Sequence, residues 1–197
     1  MRRVLDVLFA LFWLALTCPI MAIIALLIKR DSRGPVLYAP MVVGRHGRPF
    51  PLFRFRTMHI DRDPTDQIRR PFTRVGQFIR NYSLDHLPML FNLLIGDVTL
   101  VGPRPMEVIK VDMRDPIWQA YCSVKPGLFN YAVLALGKQW TPQQHSKPQH
   151  NQQLELAYLK QRSWWTDIRL FMRSLAALIS SGGNVKARKD PDRGVEL

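Results

Sequence analysis

Asp85 and His86 stand side by side in Ser83-Leu84-Asp85-His86, and Asp85 is the sole acidic residue before Asp97 in the stretch that starts at Gly76. Pro88 suits a first helical turn, which puts the pair at a helix start, where free amides and the helix dipole favour an ionised carboxylate. One reading is a helix cap. The other is a carboxylate nucleophile that attacks a phosphoryl group and carries it as an aspartyl phosphate. Such chemistry needs positive charge on the phosphates, normally a divalent cation. Magnesium prefers oxygen donors, so Asp85 rather than His86 is the expected metal ligand.

Arg54, Arg56, Arg74, Arg80 and Arg104 are candidate phosphate binders, because a guanidinium offers paired donors that match phosphate oxygens. A lone surface arginine is usually only solvated. Arg104 differs, since Gly102-Pro103-Arg104-Pro105 is a rigid turn that fixes its direction. The histidines, His46, His59, His86, His145 and His150, have no metal-ligand spacing, and no glycine-rich loop spells a nucleotide fingerprint. The two cysteines, Cys18 and Cys122, support neither a disulfide framework nor a zinc site, which fits a reducing compartment.

A chain of 197 residues is one domain's worth. Its 28 Lys and Arg against 15 Asp and Glu give a formal charge of +13 that must face anionic lipid, phosphorylated substrates or nucleic acid. No nucleic-acid module accompanies the cations, so no nucleic acid partner is expected. Membrane lipid is.

Between Val7 and Ile28 no residue is charged, and 22 helical residues reach roughly 33 Å, about the hydrocarbon thickness of a bilayer. Lys29-Arg30-Asp31 follows directly, with no small-residue cleavage pattern of the kind a signal peptide needs. Arg2 and Arg3 precede the run, and Lys29, Arg30 and Arg33 follow it, so the positive-inside rule assigns both ends to the cytoplasm. Pro19 removes a backbone donor and clashes with the carbonyl four residues earlier, so a break or kink is expected at Cys18 and Pro19. A re-entrant helix satisfies both observations. A kinked spanning helix is the alternative.

Asp31 to Pro35 is turn chemistry, Val36 to Tyr38 is extended, and Gly44 to Pro49 forms a basic glycine loop. Phe50 to Met58 alternates apolar and basic residues as a strand does, and Asp61 to Pro71 is a polar loop. Helices are expected over Val75–Tyr82 and Leu87–Ile95, the second ended by Gly96. From Gln152 to Ser180 apolar residues recur at helical spacing, with Trp164 and Trp165 beside Arg162, Arg169 and Arg173. That pattern suits either a membrane interface or an ordinary core-facing helix. The expected fold class is α+β, mainly helical. It combines the membrane helix over 1–30, a small cytoplasmic domain with short strands and amphipathic interfacial helices over 31–181, and a loosely ordered basic tail over 182–197.

Several blocks together resemble the bacterial sugar transferase family, the monotopic phosphoglycosyl transferases. They are the apolar helix with its central proline, Gly34-Pro35-Val36, Gly47 to Phe50, Arg54 to Met58, Thr73 to Gly76 and Ser83-Leu84-Asp85. The most specific block runs Gly96-Asp97-Val98-Thr99-Leu100-Val101-Gly102-Pro103-Arg104-Pro105, and Lys125-Pro126-Gly127 and the Trp164 to Leu178 helix extend the match. The resemblance implies a re-entrant helix at the cytoplasmic face of the bacterial inner membrane. It also implies transfer of a phospho-sugar from a UDP-sugar to polyprenyl phosphate in polysaccharide or glycoconjugate assembly. An Asp-Glu pair there works with magnesium: Asp85 matches the aspartate that carries the phospho-sugar, and Arg104 matches the arginine facing the nucleotide phosphates.

The chain departs from that pattern where chemistry is done. His86 replaces the glutamate, Pro40-Met41-Val42 replaces a polar charged segment, Arg69-Arg70-Pro71 replaces an Asp-x-Arg, and Phe129 to Val133 replaces a Thr-Gly-Trp-Ala-Gln stretch. Two readings therefore stand. One is an active transferase using Mg2+, with Asp85 and His86 at the catalytic centre and Arg54, Arg56 and Arg104 on phosphate. The other is a catalytically degenerate relative without a cofactor, a membrane-seated subunit contacting a partner protein through Pro40 to Val43 and Phe129 to Leu136.

Overall fold

The computed structural model describes residues 2–60, 71–131 and 148–180. Helix α1 (Arg2–Asp31) is long and apolar enough to cross a membrane. Of the break or kink expected at Cys18 and Pro19, a break is not present, because the helix continues through both residues. Proline removes one ladder bond, and the apolar turns on either side hold the remainder. The Thr17 hydroxyl meanwhile donates back to the Trp13 carbonyl at 2.6 Å. Asp6, Ala10, Thr17, Ile24 and Ile28 form the buried stripe. Leu8, Leu11, Phe12, Leu16, Ile20, Ile23, Leu26 and Leu27 point away from the protein and are exposed.

The stripe lines two hydrophobic clusters. Ala10 joins Val42, Phe50, Leu52, Met89, Leu90, Leu93 and Val98, whereas Ile24 and Ile28 join Phe55 and Ile79. The apolar helix α1 is thus part of the core rather than an appendage to it.

Short strands complete the frame. β1 (Leu37–Tyr38) pairs antiparallel with β4 (Arg54–Phe55), placing Tyr38 opposite Arg54. β2 (Met41–Val43) lies between β3 (Pro49–Pro51) and β6 (Met106–Glu107), antiparallel to both. β5 (Thr99–Val101) runs parallel to β7 (Gly127–Phe129) so closely that a Cβ on Gly127 would sit 2.1 Å from the Gly102 nitrogen. The single strand expected over Phe50 to Met58 is divided into β3 and β4. The cause is distant in sequence: the fully buried Asn92 side chain accepts from Phe53 N at 2.9 Å and donates to Pro51 O at 2.8 Å, taking the place of a strand neighbour.

Pro40 to Val43 offers no partner surface of the kind expected. Val42 and Val43 are buried in two different clusters of the core because β2 is the central strand of its sheet, and only Met41 is exposed among the three strand residues. In the other expected contact segment, Phe129 and Tyr131 pack around Val101 and Tyr158, and residues 132–136 lie outside the described residues.

Helix α2 (Arg74–Asn81) starts at Thr73, whose side chain accepts from Gly76 N at 2.8 Å. α3 (Met89–Ile95) ends at Gly96, where φ is 100° and left-handed backbone costs glycine little. α4 (Pro116–Tyr121) is capped by Asp115. The amphipathic stretch from Gln152 resolves into two helices, α5 (Pro148–Lys160) and α6 (Trp164–Ser180). Ser163 and Thr166 separate them by reciprocal capping: Ser163 N donates to Thr166 Oγ1 at 2.6 Å, and Thr166 N to Ser163 Oγ at 3.1 Å. The tail over 182–197 lies outside the described residues.

Polar ties hold the start of α1 to this frame. Arg2 pairs with Asp167 of α6 at 3.1 Å, Arg3 donates to Leu93 O and Leu94 O at the end of α3, and Asp6 accepts from Thr99 Oγ1 and Leu100 N, each at 2.9 Å. At its other end Asp31 accepts from Val75 N of α2 at 2.9 Å.

Candidate active site

Asp85 sits in a 3-10 turn, Leu84–His86, between α2 and α3. Ser83 enters that turn in the left-handed region at φ 56°, an uncommon conformation for a residue with a side chain. Leu84 and Leu87 pack into the cluster of Ile24, Ile28 and Ile79, so the residues flanking Asp85 are anchored on α1.

The carboxylate itself is buried, and its Oδ1 has no hydrogen-bond partner among the described residues. Neither the turn nor α3 has a side-chain N-cap, which removes the capping reading of Asp85. Its Oδ2 lies 3.7 Å from His86 Nε2. Burial raises the Asp85 carboxyl above its ordinary range, and the positive charges of Arg54 and Arg80 partly offset that rise.

Those two arginines arrive from different elements. Arg54 comes from β4, and its guanidinium is desolvated and lowered from its usual range, with the Asp85 charge opposing the change. Arg80 comes from the last turn of α2 and lies 4.9 Å over the Phe72 ring, a cation–π contact that fixes its direction. Arg104 completes the group from its rigid turn. Burial and the repulsion of Arg54 and Arg80 hold it down at about 10, still charged at neutral pH. Tyr121 OH donates to the Arg104 carbonyl at 2.7 Å and steadies the turn.

The structure therefore brings Asp85, His86, Arg54, Arg80 and Arg104 together. Arg56 does not join them. Its guanidinium is turned the other way and donates to Arg33 O at 2.6 Å and Ser32 O at 2.9 Å, satisfying carbonyls just past the end of α1. Only 4% exposed, Arg56 ties β4 to the end of α1 through these bonds. Arg74 is exposed at the start of α2, where its charge acts on Asp31. A residue that the sequence did not single out is Glu155 of α5, a fully buried carboxylate whose charge acts on Arg104. The available signal was an acid inside the apolar run Leu154 to Leu156.

Among the described residues no three His, Cys, Asp or Glu side chains converge as a metal cage. Asp85 Oδ1, buried and without a partner among the described residues, would suit the role of single oxygen ligand to a cation. A shielded carboxylate in the field of Arg54 and Arg80, with Arg104 beside those two arginines, can bind a diphosphate and take up a phosphoryl group.

Comparison with known proteins agrees with this chemistry. The bacterial sugar transferase family model matches residues 1–181. A UDP-glucose:undecaprenyl-phosphate glucose-1-phosphate transferase of Caulobacter vibrioides is 34% identical over 188 residues, covering 91% of this chain and 70% of the relative. A putative undecaprenyl-phosphate N-acetylgalactosaminyl 1-phosphate transferase of Bacillus subtilis is 41% identical over 109 residues, 53% of this chain and 61% of the relative. The Escherichia coli UDP-glucose:undecaprenyl-phosphate glucose-1-phosphate transferase is 31% identical over 178 residues, 86% of this chain but 38% of the relative. The chain thus spans from well under half to about two thirds of the length of these relatives.

Proposed function

The chain belongs to the bacterial sugar transferase family, and from that membership and the site we propose that it moves a sugar 1-phosphate from a UDP-sugar to polyprenyl phosphate. The observation that carries the reading is the Asp85 carboxylate, buried, with one oxygen unoccupied by protein and two guanidiniums in its field. Arg54, Arg80 and Arg104 bind the diphosphate and hold the sugar-bearing phosphorus before Asp85. The carboxylate oxygen bonds to that phosphorus as its bond to the UMP oxygen breaks, and UMP leaves. A phosphate oxygen of the polyprenyl phosphate then attacks the same phosphorus, the bond to Asp85 breaks, and the carboxylate is regenerated. Asp85 would hold a magnesium ion, which would supply further neutralising charge to the phosphates. His86 is a poor magnesium ligand, and its side chain, 41% exposed, lies 3.7 Å from the Asp85 carboxylate.

The reading places α1 as a re-entrant helix in the bacterial inner membrane, with the site at the cytoplasmic face. Two observations support this. Arg3 near one end and Asp31 at the other are bonded to the same domain, and the outward face of α1 is apolar along its length. On α6, Trp165, Ile168 and Met172 are exposed beside Arg169 and Arg173, which suits a bilayer interface. The scaffold alternative loses a main support, since Val42 and Val43 are core residues.

The test is UMP release from a panel of UDP-sugars by the protein in nanodiscs containing undecaprenyl phosphate. Release that stops in Asp85→Asn supports the reading; a folded wild-type protein that releases no UMP from any sugar in a broad panel overturns it.

A further inference from the structure

Tyr38 of β1 stands directly opposite Arg54 of β4, and Leu37 stands opposite Phe55. Residues paired across antiparallel strands point their side chains to the same face, with Cβ atoms about 5 Å apart, and successive residues alternate faces. Phe55 is buried against Ile24, Ile28 and Ile79, so its face is the core face. Tyr38 and Arg54 therefore share the other face, on which the Arg54 guanidinium meets the charges of Asp85 and Arg80.

Nothing in the frame calls for an aromatic side chain at this place. Tyr38 is 55% exposed, its ring belongs to none of the core clusters, and its hydroxyl makes no hydrogen bond among the described residues. Its strand is nevertheless fixed. Arg56 N donates to Val36 O at 2.9 Å, and the Arg56 guanidinium ties β4 to Ser32 and Arg33. An exposed ring on a fixed strand, beside a guanidinium placed to bind phosphate, suits a ligand whose cyclic part is attached to that phosphate. A UDP-sugar offers such a part at each end of its diphosphate, uridine on one phosphorus and the sugar on the other.

We propose that Tyr38 is a substrate-binding residue, an aromatic platform beside Arg54 on which a ring of the nucleotide sugar stacks, either the uracil or the sugar. The proposal rests on the transferase reading for its ligand and on the register of β1 with β4 for its place. Arg54 holds the phosphates, and Tyr38 holds the ring joined to them.

Three ligands separate these contributions on the full chain in nanodiscs: inorganic pyrophosphate, UDP, and a UDP-sugar that wild type turns over. Tyr38→Leu removes the aromatic face at a half-exposed position, and Tyr38→Thr, which also suits a strand, gives the same reading from a second variant should the first not fold. Both are expected to bind pyrophosphate as wild type does, because the phosphates meet Arg54. If the uracil stacks on Tyr38, UDP binding weakens about tenfold, the scale of one aromatic stacking contact. If the sugar does, UDP binding is kept and KM for the UDP-sugar rises by a similar factor. Tyr38→Phe, which keeps the ring, is expected to recover most of either loss. Unchanged UDP affinity together with an unchanged KM overturns the proposal. So does pyrophosphate binding weakened as much as UDP binding, since Tyr38 would then act on the phosphate site and not on a ring. A wild type that binds no UDP and turns over no UDP-sugar overturns the transferase reading and the proposal with it, whereas a working wild type with indifferent Tyr38 variants overturns the proposal alone.

Discussion

The guanidinium of Arg3, in the first turn of α1, lies 2.6 Å from the carbonyl oxygen of Leu93 in the last turn of α3. α3 is the helix that follows Asp85, and its last carbonyls, which a helix leaves unpaired, are met by a cation from the start of the chain. The seating of α1 and the shape of the site are mechanically one structure. Arg3→Ala is expected to lower stability by about 2 kcal/mol, the scale of a charged hydrogen bond. Chemical unfolding in a mild detergent reads this out. A variant as stable as wild type removes Arg3 from the frame.

Gly76 marks where α2 meets the segment after β4. A Cβ there would lie 1.9 Å from the Thr57 carbonyl oxygen, a clash with backbone that no rotamer relieves. Gly76→Ala is expected to cost about 3 kcal/mol or more through displacement of α2 and Arg80 with it. A normal melting temperature for this variant would show that the helix can shift at little cost.

Arg54 and Arg56 separate function from structure two residues apart. Arg54→Ala is expected to raise KM for the UDP-sugar about tenfold with little loss of stability, as for one lost charge-assisted phosphate contact. Arg56→Ala is expected to do the reverse, losing about 2 kcal/mol of stability as the Ser32 and Arg33 carbonyls lose their donor. Steady-state kinetics beside thermal melts on both variants check this, and exchanged phenotypes would contradict the assignment.

The sequence made part of this legible and hid the rest for physical reasons. α2, α3 and the left-handed Gly96 follow from local signals, and the Gly-Pro-Arg-Pro turn is irregular as its prolines require. Alternation placed Arg54 and Arg56 on one strand face. The strand ends at Phe55, and Arg56 turns to carbonyls donated by a segment 23 residues away. No local pattern encodes that. The division of Phe50 to Met58 likewise depends on Asn92, and the burial of Glu155 depends on how α5 meets α4. Polar-to-apolar change at Pro40 to Val43 looked like an interface because periodicity in a three-residue strand cannot tell a central strand from an exposed one.

Asp85 also ties stability to pH. Burial raises its carboxyl, so ionisation opposes folding, and the penalty is full above the raised native value and persists, diminishing, wherever the unfolded carboxyl is ionised. Asp85→Asn is therefore expected to melt higher than wild type at pH 7. The gain should shrink as pH falls through the raised native value and vanish below the ordinary carboxylate value of 3.8. Melting curves over that range check the sign. A variant less stable than wild type at pH 7 would mean that the cations around Asp85 outweigh its burial.

The most direct measurement is a single turnover without acceptor. The protein is incubated with a UDP-sugar, quenched, digested, and the peptide containing Asp85 is weighed by mass spectrometry. The account predicts one UMP released per active site and a sugar-phosphate adduct on Asp85 that disappears when polyprenyl phosphate is added. UMP formed only when acceptor is present, with Asp85 unmodified throughout, would contradict it.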